Sequence, residues 1–217
     1  MSTRVRRRVV EVATPEGPAR AHVSRPASAR GTVVLGHGAG GGIQAPDLQA
    51  VAAAAVDAGW AVVLVEQPWR VAGRKVATAP PKLDVAWRAV VEALRSGRGA
   101  LPGPWVVGGR SAGARVACRT ADDLAADAVV ALAFPLRPPG KPSAPSRADE
   151  LVRAASSGRP VLVVQGRRDP FGAPGDIDSA GTGARVVAVD GDHGLKADTA
   201  AVAAAVVELL TAESTNA

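Results

Sequence analysis

The 217-residue sequence contains no tyrosine, two phenylalanines and four tryptophans, so aromatic residues make up only 3% of the chain. The core must be built mainly from Val, Ala and Leu, and the aromatic platform on which nucleic-acid bases stack is missing. The one cysteine, Cys118, can form neither an intramolecular disulfide nor a multi-thiolate metal site, so the expected location is cytoplasmic. Long apolar runs are also missing. The best, Ala200 to Val207, falls far short of the roughly 18 residues needed to span a bilayer, and no membrane association is expected. The segment Met1 to Glu11 is basic but has no apolar stretch or small-residue cleavage site behind it, so it does not read as a secretory signal.

What is present is ordinary for a globular protein. Apolar residues are 47% and charged residues 21%, which excludes a disordered or collagen-like chain. The length predicts a single domain over residues 1–217. Basic residues outnumber acidic ones by 26 to 20, a net charge of +6, and 22 of the 26 are Arg. That excess raises the prospect of an anionic partner such as nucleic acid. The basic residues are scattered from Arg4 to Lys196, however, and the one dense cluster, Arg4 with Arg6 to Arg8, lies in a Val/Arg segment that suits an edge strand with a solvated face. A nucleic-acid partner is therefore not expected.

Along the chain, Arg4 to Ala13 and Ala19 to Arg25 are Val-bearing runs separated by Thr14-Pro15-Glu16-Gly17-Pro18, the signature of a β-hairpin. Thereafter apolar strands alternate with helical stretches. Strands are expected at Gly31 to Leu35, Trp60 to Val65, Trp105 to Gly108, Ala128 to Phe134, Val161 to Val164 and Ala184 to Val189. Helices are expected at Pro46 to Ala58, about Lys82 to Leu94, Ala112 to about Leu124, near Arg147 to Ala155, and about Ala197 to Leu210. Strands that are apolar throughout are buried on both faces, so the pattern predicts an α/β fold with a mostly parallel sheet, an antiparallel N-terminal hairpin and helices on both faces. Residues 135–145 form a Pro-rich connection that suits either a site wall or a rigid crossover.

The chemistry concentrates at Gly109-Arg110-Ser111-Ala112-Gly113, directly after a strand and before a helix. In that context G-x-S-x-G builds a nucleophile elbow: a sharp, strained turn exposes the Ser111 hydroxyl, and the glycines let strand and helix approach. The Ala112 N–H, at the helix N-terminus, is placed to donate to an oxyanion. A serine nucleophile needs a general base, and there are three histidines. His22 lies in the hairpin and reads as structural. His37 sits in Gly36-His37-Gly38-Ala39-Gly40-Gly41-Gly42, where the loop after the first parallel strand supplies a second oxyanion donor from Ala39 or Gly40; His37 is expected to fix that loop. The same glycines loosely match a dinucleotide fingerprint with Glu66 as the ribose acid, a weaker reading. His193, in Asp190-Gly191-Asp192-His193-Gly194 after the last strand, is the expected base. Asp169, after the penultimate strand, is its expected carboxylate partner. The chain order Ser111, Asp169, His193 is that of α/β-hydrolases.

These motifs, together with Phe134-Pro135-Leu136 and Pro138-Pro139-Gly140-Lys141-Pro142, resemble a small α/β-hydrolase family related to the dienelactone hydrolases, whose members include the testis-expressed α/β-hydrolase-like protein and the hydrolase-like subunit of the NSL complex. The resemblance runs from Gly31 onward. It implies an α/β-hydrolase fold with Ser111, Asp169 and His193 carried over, and supplies no substrate. The reaction expected is hydrolysis of an ester or thioester of a small acyl substrate by a monomer or homodimer, with no cofactor and no metal. A non-catalytic interaction module on the same fold is the alternative. Where many relatives insert a cap domain this chain has only the Pro-rich connection, so an open site is expected, with His37, Trp69, Arg110, Phe134 and Leu136 as substrate contacts. Arg110 and Arg137 would favour an anionic acyl group, although solvated surface arginines are the simpler reading.

Overall fold

The computed structural model describes residues 4–141 and 143–215; Met1 to Thr3 of the expected non-signal segment and Pro142 of the Pro-rich connection lie outside them. The chain opens with β1 (Val5–Thr14) and β2 (Gly17–Pro26), which pair antiparallel around the predicted turn. Then follow β3 (Thr32–Gly36), α1 (Pro46–Asp57), β4 (Ala61–Glu66), a single turn α2 (Pro68–Val71), α3 (Pro80–Arg95), β5 (Trp105–Arg110) and α4 (Ala112–Thr120). The chain continues with β6 (Ala128–Leu132), α5 (Ala148–Ala155), β7 (Val161–Gly166), a short α6 (Pro174–Asp178), β8 (Arg185–Val189) and α7 (Thr199–Thr215). The sheet order is β1-β2-β4-β3-β5-β6-β7-β8, with β2 antiparallel to β4 and every pair from β4 to β8 parallel.

The apolar strands are buried on both faces because their side chains alternate between two cores. Val34, Val63, Val65, Val107, Val129 and Val163 point to the face covered by α3, α4 and α5. Their neighbours Val33, Leu35, Val62, Leu64, Val130 and Leu162 point to the face covered by α1 and α7. Helix starts follow proline. Pro46, Pro68, Pro80 and Pro174 stand in the first turn of α1, α2, α3 and α6, where the missing N–H costs nothing and the fixed φ suits the helix.

The strands and helices expected from the sequence are all present, with differences at their ends, and the short helices α2 and α6 are additional to them. α3 begins at Pro80 rather than near Lys82, since two prolines preset its first turn. β6 stops at Leu132 because Ala133 takes φ 46°, and the chain after α4 leaves the helix before Ala125 takes φ 42°. Between β6 and α5, among the described residues, there is neither helix nor strand, so no cap covers the strand ends there.

Candidate active site

The loops that leave the C-terminal ends of β3, β5, β7 and β8 meet above the sheet. Ser111 occupies the turn between β5 and α4 with φ 53° and ψ −109°, a strained conformation for a residue with a Cβ. The surrounding glycines show why the turn tolerates nothing larger. A Cβ on Gly113 would stand 2.5 Å from the carbonyl carbon of Gly36, and one on Gly109 would stand 2.9 Å from both the Gly36 nitrogen and the Gly113 carbonyl carbon. These neighbours are backbone, so β3, β5 and α4 reach their spacing only without side chains at these positions. Ala112 is the first residue of α4, and its N–H has no acceptor within the helix.

His193 lies between β8 and α7, and its ring bridges two partners. Nε2 is 2.9 Å from Ser111 Oγ and Nδ1 is 2.8 Å from Asp169 Oδ2. One tautomer serves both contacts: Nδ1–H donates to the carboxylate, and Nε2 accepts from the hydroxyl. Phe171 lies against the imidazole with ring centroids 4.2 Å apart. Asp169 is 4% exposed. Its Oδ1 accepts from the Phe171 N–H at 2.9 Å and its Oδ2 accepts from Gln165 Nε2 at 2.9 Å. The structure thus brings together the three residues that chain order singled out.

His37 does not join them. It is buried, its Nδ1–H donates to Gly38 O at 3.0 Å, and its Nε2 accepts from the Gln67 N–H at 3.3 Å. Burial pushes its pKa below the ordinary value, which keeps it a neutral clamp on the glycine loop. The loop turns at residues 38–41, where Gly41 N–H donates to Gly38 O. In such a turn the two central N–H groups, here of Ala39 and Gly40, are left outside the turn's own bond. Both residues line the same cleft as Ser111 and Ala112. The dinucleotide reading falls away: α1 starts at Pro46, well past the glycines, and Glu66 pairs with His22 Nε2 at 2.8 Å.

Several expected substrate contacts are corrected. The cleft has a volume of about 740 Å³. Its walls include Pro135 and Phe171, whereas Phe134 and Leu136 are fully buried, packed into the core on the α3, α4 and α5 side of the sheet. Trp69, on α2, is 3% exposed and packs edge-on against His37, supporting the loop from beneath, with ring centroids 5.4 Å apart. His37 for the same reason does not reach the cleft. Arg137 lies outside it, lining a separate hollow beside Pro138 and Asp176.

Arg110 lines the cleft but is not a solvated arginine. Its side chain is 15% exposed, its Nη2 donates to the His193 backbone carbonyl at 2.6 Å, and its Nε lies 3.0 Å from Oδ2 of Asp47, in the first turn of α1. Asp47 is fully buried, and burial pushes its carboxyl above the ordinary range. Neither Asp47 oxygen nor Arg110 Nε makes an aligned side-chain hydrogen bond among the described residues. Arg110 therefore ties the glycine-loop side, the elbow and the His193 loop together.

Sequence reasoning missed Gln165 and Asp47. Gln165, at 0% exposure, makes four contacts: Nε2 reaches Asp169 Oδ2, Gly172 O and Phe134 O, and Oε1 accepts from the Phe134 N–H. A glutamine ending an apolar strand buried on both faces is a signal in itself, because a buried amide needs partners for both ends. Asp47 carried no such mark, since an acid in a first helical turn ordinarily complements the dipole. Cys118, as expected, is a core residue, and burial pushes its thiol up to about 12. Among the described residues no group of three or more His, Cys, Asp or Glu is placed to hold a metal ion, and no helix is long and apolar enough to cross a membrane.

Comparison with known proteins follows the same lines. The family described as an α/β hydrolase domain matches residues 29–212. No curated protein matches the chain. Among solved structures, XC6422 from Xanthomonas campestris, described as an α/β serine hydrolase without lid, is 21% identical, with 94% of each chain covered and a TM-score of 0.70. Est1E from Butyrivibrio proteoclasticus is 15% identical, over 94% of this chain and 98% of its own, with a TM-score of 0.74. The esterase Pf2001 from Pyrococcus furiosus is 16% identical, over 97% and 93%, also with a TM-score of 0.74. At these identities the likeness is one of fold.

Proposed function

We propose that this chain, which belongs to the α/β-hydrolase domain family, hydrolyses an ester or thioester of a small acyl substrate through an acyl-enzyme on Ser111. The observation that carries the reading is the continuous hydrogen-bonded path from Asp169 through both nitrogens of His193 to the hydroxyl of a serine at a strained elbow facing the cleft. In the first half-reaction Ser111 Oγ attacks the carbonyl carbon as its proton passes to His193 Nε2. The leaving alcohol or thiol departs with that proton. In the second half-reaction water attacks the acyl group, His193 takes the water proton, and Ser111 recovers it as the acid is released. Asp169 fixes the tautomer and stabilises the imidazolium. The N–H groups of Ala112 and of Ala39 or Gly40 stabilise the oxyanion, and one such donor is worth about 3 kcal/mol of the barrier.

An interaction module without turnover has no use for a strained serine aligned on a base. The strain costs about 1–3 kcal/mol and persists only where surrounding contacts impose it. The test is hydrolysis of a chain-length series of p-nitrophenyl esters and acyl thioesters, run beside Ser111→Ala. Turnover by the native protein that Ser111→Ala loses supports the proposal. Turnover that survives the substitution refutes it.

A further inference from the structure

Among the described residues four cations line the cleft, Arg110, Arg115, Arg147 and Lys196, and no Asp or Glu does. Their partners divide them into two pairs. Arg110 lies against Asp47, and Arg115 is held by Glu150 through two bonds of 2.9 and 2.6 Å. Arg147 and Lys196 make no ion pair among the described residues. Arg147 is half-buried and donates through Nη1 to the Pro135 carbonyl at 2.8 Å, which fixes its guanidinium on the cleft wall formed by the Pro-rich connection. Burial and the neighbouring Arg115 push its pKa down, partly opposed by the carboxylate of Glu150. Lys196, on the loop that carries His193, also lines the cleft and is exposed. A partly desolvated cleft lined by two cations that stand outside any ion pair among the described residues stabilises a negative charge placed in it.

We propose that the substrate of this cleft carries an anionic group, a carboxylate or phosphate on its acyl or leaving side, which Arg147 and Lys196 bind while Ser111 attacks the ester carbonyl. The proposal rests on the hydrolase reading for the attack, but the anion site itself needs no turnover. Arg147 supplies a directional, charge-assisted bond, and Lys196 a mobile point charge.

Two matched pairs of esters separate the sources of charge. For the acyl side, p-nitrophenyl hemiadipate is compared with p-nitrophenyl methyl adipate; for the leaving side, 3-acetoxybenzoate with its methyl ester. In at least one pair kcat/KM is expected to favour the anion by about tenfold or more, the size of one charge-assisted hydrogen bond in a half-buried setting. Arg147→Gln should reduce that ratio about tenfold, Arg147→Lys should restore part of it, and Lys196→Gln should reduce it about two- to fivefold. Arg98→Gln, remote and exposed, serves as the control, and added salt should lower the ratio. A ratio near one in both pairs, or one indifferent to Arg147→Gln and Lys196→Gln, overturns the proposal. Binding of the monoanilide of adipic acid and of its methyl ester to Ser111→Ala, followed by ligand-observed NMR, keeps the two readings apart. If no ester is turned over but the acid outbinds its methyl ester and Arg147→Gln abolishes the difference, the hydrolase reading falls and the anion site stands.

Discussion

Arg110→Met tests how the cleft is held together. The substitution keeps the aliphatic stem and removes two interactions: the 2.6 Å bond to the His193 carbonyl and the cation 3.0 Å from fully buried Asp47. A bond to a charged donor is worth about 1.5–3 kcal/mol. A buried carboxylate stripped of its cation costs about 3–5 kcal/mol. The two do not simply add, because Asp47 escapes by taking up a proton, and from an ordinary carboxylate pKa this costs about 4 kcal/mol at pH 7. A net loss of about 4–6 kcal/mol follows, a large share of a total stability of about 5–15 kcal/mol. For a chain of this length that lowers Tm by roughly 8–24 °C. The sign of the pH dependence is fixed by Asp47, whose folded pKa is raised above the unfolded one. The native state then binds the proton more readily than the unfolded state, so this group's contribution is most favourable at low pH and is lost as pH rises through its folded pKa. Arg110→Met removes a cation that opposes the rise, so its deficit relative to the native protein should shrink on acidification. Denaturant melts of Arg110→Met, Asp47→Asn and the double variant at several pH values provide the assay, with Arg110→Met/Asp47→Asn expected to be more stable than Arg110→Met alone. A double variant no more stable than the single one, or an Arg110→Met deficit that does not shrink at low pH, refutes the reasoning.

Two further predictions concern backbone spacing and carboxylate support. Gly113→Ala sets a Cβ against the Gly36 backbone, where nothing can rotate away, so a loss of about 3 kcal/mol or more is expected in denaturant midpoint, beyond ordinary overpacking; a change of less than about 0.5 kcal/mol would show that β3 and α4 are not locked at this point. Gln165→Leu leaves the buried Phe134 N–H without its acceptor and takes one donor from Asp169, so stability should fall by about 1–3 kcal/mol and kcat should fall with KM little changed. Unaltered kcat would mean that Asp169 is held well enough by the Phe171 N–H alone.

The sheet was legible because period-2 burial on two faces leaves uninterrupted Val and Leu runs, and because Gly and Pro mark the breaks. The elbow was legible for a related reason. Gly36, Gly109 and Gly113 stand where three backbone segments touch, and such contacts are written as residue types. Chain order then gave Asp169 and His193, each in a loop after its own strand. The cleft walls were not legible. Phe134 and Leu136 stand at the start of the Pro-rich connection and Trp69 follows a strand end, but which side chain reaches the cleft is set by the local backbone, and of residues 134–136 it is Pro135 that lines it. Arg110 was visible, yet its role depends on Asp47, far away in sequence. Arg147 looks like any helix-flanking arginine until the fold brings it and Lys196 to the same cleft.

The central claim is that Ser111 is an activated nucleophile. A fluorophosphonate bearing a reporter phosphorylates such a serine, and peptide mass mapping locates the adduct. The account predicts one equivalent of label on Ser111, strongly slowed labelling in His193→Ala, and none in Ser111→Ala. A native protein that does not label, or that labels equally well after Ser111→Ala, would contradict it.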